Sequence, residues 1–219
     1  MSYQDYRPAP FNILPTVVKN LLIINGIFLL ADTVLTNQLG LSINQMLGLY
    51  FPLSEKFAPY QFITHLFLHG NFLHLFSNMF ALWMFGAVLE NHWGPKRFLV
   101  YYFATGLGAA VIHLLWNYYD LTTNPYSNAL NSYVVGASGA VFGVLLAFGM
   151  MFPNTLIYIF FAIPIKAKYF VIIYGLLELY SGLSNNPADN TAHFAHLGGM
   201  LFGFFLIKYW KSKDRQYFR

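Results

Sequence analysis

The chain has 219 residues, of which 57% are hydrophobic and only 9% charged, with a net charge of +4 and no cysteine. So few charged side chains leave too little polar surface to cover a water-soluble domain of this length, so the chain reads as an integral membrane protein. The lack of cysteine excludes disulfides and thiolate metal sites.

Apolar runs of about 17 to 25 residues, the length that crosses a bilayer, fall near 15–36, 65–91, 97–119, 134–152, 166–183 and 191–210. They predict an all-α membrane protein of six spanning helices in one domain over residues 1–219. Its parts are a short tail over 1–14, a core over 15–210 and a basic tail over 211–219. The first tail holds Asp5, Arg7 and prolines. No basic head runs from it into a short apolar core with a small-residue cleavage site, so a removable signal peptide is not expected. The loop after the first span, Asn37 to Thr64, carries Leu39, Leu41, Ile43, Met46, Leu47, Leu49, Tyr50 and Phe51. Such a segment is expected to lie in the membrane interface.

The second span opens with His65, His69, His74 and Asn78 and closes near Glu90, which reads as structural. His65 and His69 are four apart, as are His74 and Asn78, so each pair shares a helical face. The fourth span contains Gly136-Ala137-Ser138-Gly139, with Ser138 expected about four residues in and Phe142 one turn below it. Glu178 lies near the outer end of the fifth span, where it either reaches for water or pairs with a donor in the bundle; Asp32 in the first span reads the same way. The sixth span carries His193, His196, Gly199 and Gly203. Gly139 and Gly143 match the last two glycines in spacing, and small residues at that interval let membrane helices approach closely.

Eleven of the 12 basic residues fall on one side under this scheme: Arg7, Lys19, Lys96, Arg97, Lys166, Lys168, Lys208, Lys211, Lys213, Arg215 and Arg219. Only Lys56 falls on the other, which predicts that both termini are cytoplasmic. The charge is then a topology signal rather than a nucleic-acid footprint, and the partner expected from composition is the lipid bilayer. The histidines of the second span, Ser138, and His193 with His196 fall at comparable depths below the outer surface, at about 1.5 Å per residue. A serine within reach of a histidine there suggests a nucleophile and its base.

These residues resemble the rhomboid family of intramembrane serine proteases. The resemblance rests on His69, His74 and Asn78 in the pattern H-x4-H-x3-N, on Glu90 sixteen residues after His74, on Gly136-x-Ser138-Gly139, and on Ala195-His196-x2-Gly199-x3-Gly203. It implies a six-helix bundle with Ser138 as nucleophile and His196 as general base and then acid. No third acidic member and no metal or cofactor belong to that scheme. It further implies that His74, Asn78 and the Ser138 backbone N–H bind the oxyanion, with Gly136, Gly139, Phe142, His69, His193, Gly199 and Gly203 in support. The implied substrates are membrane-spanning or membrane-adjacent segments of other proteins, cleaved near the outer face. They would enter laterally as the fifth helix and the 184–190 loop move aside. A bacterial cytoplasmic membrane, with the site opening outward, is the expected location.

The chain departs from the family where many members carry Trp-Arg in the first outer loop and it has Tyr60-Gln61. Phe142 stands where Tyr is common, which keeps the ring and loses a hydroxyl. Two other readings stay open. One is an inactive relative that binds and escorts membrane proteins. The other is a transporter or metal site built from His65, His69, His74, His193 and His196, for which the sequence offers no acidic or thiolate partner. Taken alone, Ser138 would be read as bonding back to its own helix carbonyls.

Overall fold

Glu90 fixes the start of the first long helix from 72 residues away. In the computed structural model, which describes residues 11–159, 162–184 and 191–213, its carboxylate accepts from the backbone N–H groups of Val17 and Val18 at 2.9 and 2.8 Å. These N–H groups open α1 (Thr16–Leu39), where the first turn has no internal acceptors and the helix dipole favours a negative charge. Asp32, within α1, accepts from Ser42 Oγ and Asn44 N at 3.1 and 3.0 Å and so starts the short α2 (Ile43–Leu47). Both carboxylates thus bind segment starts.

The chain continues through β1 (Leu49–Tyr50) to α3 (Gln61–Thr64), which tightens into a 3₁₀ turn, His65–Phe67. Then α4 (Phe72–Ala81) runs through a π-helical turn, Leu82–Gly86, into α5 (Ala87–Trp93). Next come α6 (Pro95–Thr123), β2 (Tyr133–Val134) and α7 (Ser138–Met151). A hairpin of β3 (Leu156–Ile159) and β4 (Ile163–Lys166), paired with Leu156 opposite Lys166, leads to α8 (Ala167–Ser184). The helix α9 (His193–Lys213) closes the described chain. Three helical stretches are long and apolar enough to cross a membrane: Thr16–Leu39, Phe72–Trp93 and Pro95–Thr123, with Ser138–Met151 a shorter apolar helix.

Three boundaries differ from the sequence expectation. The second span does not start at residue 65, because Leu68 turns extended and Asn71 caps α4 by accepting from His74 N at 2.8 Å. Asn competes for backbone donors in just this way. His65 and His69 therefore do not share a helical face. The fourth span starts at Ser138 rather than near 134, since Tyr133 and Val134 pair antiparallel with Tyr50 and Leu49. The hairpin replaces what read as a plain loop.

The first outer loop is anchored to protein more than its composition suggests, with Leu49, Tyr50 and Phe51 buried while Leu39, Leu41 and Met46 stay exposed. Its anchor is Gln61, 1% exposed. The Gln61 Oε1 atom accepts from Ala58 N at 3.1 Å and Tyr50 N at 3.3 Å, and Nε2 donates to Lys56 O at 2.9 Å. An amide can both donate and accept, so it ties the loop where a guanidinium could only donate.

At the centre, α7 packs between α6 and α9, and ten of its 14 residues are buried. A Cβ on Gly199 of α9 would overlap the Gly139 carbonyl, so the two backbones touch there. The partner glycines face α6 instead: Gly143 lies against Thr105 and Gly203 against the Tyr101 hydroxyl, which donates to Gly143 O at 2.9 Å. Close packing of membrane helices through small residues follows this pattern.

Candidate active site

The strand pair holds the approach to Ser138 in place. The N–H of Gly136 donates to His65 O at 2.9 Å, immediately after β2 is tied to β1. Gly136 has φ +132°, which L side chains rarely adopt, and a Cβ there would lie 3.0 Å from His74 Cε1. Only glycine lets the chain turn this tightly beside that ring. Ser138 is consequently the first residue of α7, where backbone N–H groups lack internal acceptors.

Contact between the α7 and α9 backbones at Gly139 and Gly199 brings Ser138 Oγ to 2.8 Å from His196 Nε2. Phe142, one turn below the serine, stacks on the imidazole with centroids 4.2 Å apart and planes 7° from parallel. The two side chains line a cavity of about 700 Å³ together with His74, Asn78 and Gly136. His74 Nδ1 is approached by Gly70 N–H at 3.4 Å, while Asn78 Nδ2 donates to His74 O at 2.8 Å and keeps a second N–H on the same nitrogen. His69 lies buried and edge-on to His74, with centroids 4.9 Å apart. Asn44 holds its carbonyl at 3.0 Å.

The acidic group is the part that sequence reasoning left open. Glu178 Oε2 accepts from His196 Nδ1 and from His193 Nδ1, each at 2.7 Å. This overturns the expectation that no acidic partner accompanies the histidines. Among the described residues, the cluster able to present three metal ligands is Glu178, His193 and His196; His65, His69 and His74 are not in it. Two ligands of a tetrahedral zinc ion stand roughly 3.3 Å apart, given bonds of about 2.0 Å. The 2.7 Å separations are those of charge-assisted hydrogen bonds. Nothing in the chain's spacing joins Glu178 to His196, 18 residues on and in another helix. The available signal was the cost of an intramembrane carboxylate with histidines next along the chain. His113 of α6 also lines the cavity, its Nε2 accepting from Asn117 Nδ2 at 3.2 Å. The 185–190 part of the expected lid falls outside the described residues.

A Rhomboid domain model matches residues 56–212. RHOMBOID-like protein 5 of Arabidopsis thaliana is 35% identical over 155 residues, 70% of this chain and 45% of that protein. Rhomboid protease GluP of Bacillus subtilis is 31% identical over 152 residues, 67% of this chain and 25% of that protein. Rhomboid protease AarA of Providencia stuartii is 30% identical over 145 residues, 62% of this chain and 50% of that protein. The chain thus spans half or less of the length of these relatives.

Proposed function

The chain belongs to the rhomboid family of integral membrane proteins, and from that premise we propose that it is an intramembrane serine endopeptidase. It would cut membrane-spanning or membrane-adjacent segments of other membrane proteins. The observation that carries this reading is the 2.8 Å approach of Ser138 Oγ to His196 Nε2 on the wall of the cavity.

In the proposed reaction Ser138 donates its proton to His196 Nε2 as its oxygen attacks the substrate carbonyl. The developing oxyanion takes hydrogen bonds from the Ser138 backbone N–H, from His74 and from the second N–H of Asn78. His196 then protonates the leaving amine, and water repeats the sequence on the acyl-enzyme. Because a helix hides its carbonyls in internal hydrogen bonds, segments that unwind readily are the preferred substrates. Six spans with both termini cytoplasmic, and a site open to the outer side of a bacterial cytoplasmic membrane, agree with the one-sided distribution of basic residues.

Purified protein in detergent and in liposomes, offered a set of membrane-spanning test substrates, gives the direct test. Ser138→Ala and His196→Ala are each expected to lower kcat by at least about 1,000-fold, with chelator having no effect. Absence of cleavage by the wild type, together with no labelling of Ser138 by a fluorophosphonate, would instead support the binding and escort reading.

A further inference from the structure

Glu178 sits on α8, and its side chain is 13% exposed; those of the two histidines it binds are 9% and 12% exposed. A carboxylate so shielded is costly unless it is paired. Its oxygen has a lone pair for each of the two Nδ1–H groups, so one atom satisfies both rings at 2.7 Å. An ionised carboxylate only accepts hydrogen bonds. The bond therefore assigns the proton of neutral His196 to Nδ1 and leaves the lone pair on Nε2, facing the Ser138 hydroxyl at 2.8 Å. A general base for that hydroxyl needs this tautomer.

Phe142 cannot supply the same information. Stacking at 7° fixes the plane of the imidazole, yet a ring flipped by half a turn about its Cβ–Cγ bond keeps that plane and stacks as well. The flipped ring would turn Nδ1 and a carbon edge toward the places now held by Nε2 and Nδ1. The bond to Glu178 is lost in that state and kept in the observed one. One aromatic ring and one carboxylate together define both the plane and the direction of the base.

We propose that Glu178 is a positioning residue that holds His196 in the tautomer and orientation required to accept the Ser138 proton. The line runs Ser138, His196, Glu178, with His193 clamping the same carboxylate oxygen from the other side. The proposal rests on the reading of Ser138 and His196 as nucleophile and base, and it adds an acidic group to the dyad that the family resemblance implied. As His196 takes up the proton in the reaction, the carboxylate lies against the cation that forms, which favours the transition state over the ground state. Since Glu178 is carried by α8, whose buried residues Ala167 and Val171 lie at the opposite end of that helix, His196 is aligned only while the outer half of α8 is seated against α9.

The test compares kcat and KM for one test substrate in liposomes among the wild type, Glu178→Gln, Glu178→Ala and Glu178→Asp, with Ser138→Ala and His196→Ala as inactive references. Alongside, ¹⁵N NMR of histidine-labelled wild-type protein reads which nitrogen of His196 carries the proton, assigned by loss of its signals in His196→Ala. The expected result is a kcat lower by about 100-fold or more in Glu178→Gln and Glu178→Ala, with KM within about threefold of the wild type and partial recovery in Glu178→Asp. The wild-type spectrum should show His196 protonated at Nδ1. Protonation at Nε2 in the wild type would overturn the proposal even if every variant failed to fold. A Glu178→Gln kcat within about threefold of the wild type, with both references inactive, would overturn it and leave the serine protease reading intact. Activity in either reference would remove that reading first. Activity abolished by chelator and restored by zinc would also overturn it, because a metal on both Nδ1 atoms leaves no proton for Glu178 to accept.

Discussion

The helices α7 and α8 both pack on α9, by opposite means. Ten of the 14 residues of α7 are buried, and it meets α9 backbone to backbone at Gly139 and Gly199. Of the 18 residues of α8, Ala167 and Val171 are the buried ones, near its first turn, and its outer half reaches α9 through the polar bonds of Glu178. An apolar contact without side chains cannot be adjusted, whereas a carboxylate on a largely exposed helix can be made and broken. The first sets the distance between Ser138 and His196, and the second sets the direction in which His196 faces.

The strongest way to break this contrast is Gly199→Ala. Its Cβ would overlap the Gly139 carbonyl, with backbone on both sides and no flexible side chain to yield. The helices must part, at a cost of about 3 kcal/mol or more, the upper range for overpacking, and the Ser138–His196 separation widens with them. Thermal unfolding in detergent should show a large loss of stability, and cleavage should fall below detection. A variant that melts and cleaves like the wild type would mean that the α7–α9 contact does not set the catalytic distance.

Asn78→Ala probes the fixed side of the site without moving it. Asn78 stands on α4, and its loss removes one donor to the oxyanion along with a bond to its own helix at His74 O. If α7 and α9 keep their places, the effect is confined to the transition state. The expected result is a kcat lower by about 100-fold, equivalent to about 3 kcal/mol, with KM unchanged. A parallel rise in KM would indicate that the frame had shifted.

The contrast between α7 and α8 also marks what could be read from the sequence. Ser138, His196, His74 and Asn78 carry fixed spacings within single segments, and the structure brings all four to one cavity. Gly139 and Gly199 were readable as packing residues because membrane helices use small residues at that interval. Their spacing partners, however, turned out to face Thr105 and Tyr101 of α6, which no one-dimensional pattern encodes. The start of α7 was misplaced because a strand pair two residues long, Leu49–Tyr50 with Tyr133–Val134, leaves no periodic signal. Residues 65–71 read as helix because they are apolar and histidine-rich, although Gly70-Asn71 is a helix-start signal in plain sight. Glu178 was visible as a lone costly carboxylate; its partners lie across a helix connection and only the fold supplies them.

The smallest effect is expected at Gly175→Ala, the counterpart of Gly199→Ala on the loosely held helix. A Cβ at Gly175 would come within 3.2 Å of Met200 Cε and 3.6 Å of its Sδ. These atoms end an unbranched side chain with three rotatable bonds, which can withdraw by a few tenths of an ångström at little cost. Against that stands the gain from replacing a mid-helix glycine by alanine, up to about 1 kcal/mol. The melting temperature should therefore hold or rise slightly, and kcat should stay within about twofold of the wild type, since neither Glu178 nor Phe142 is displaced. Damage on the scale of Gly199→Ala would show that α8 is packed as rigidly as α7, and the division of labour between a fixed distance and an adjustable direction would then have no structural basis.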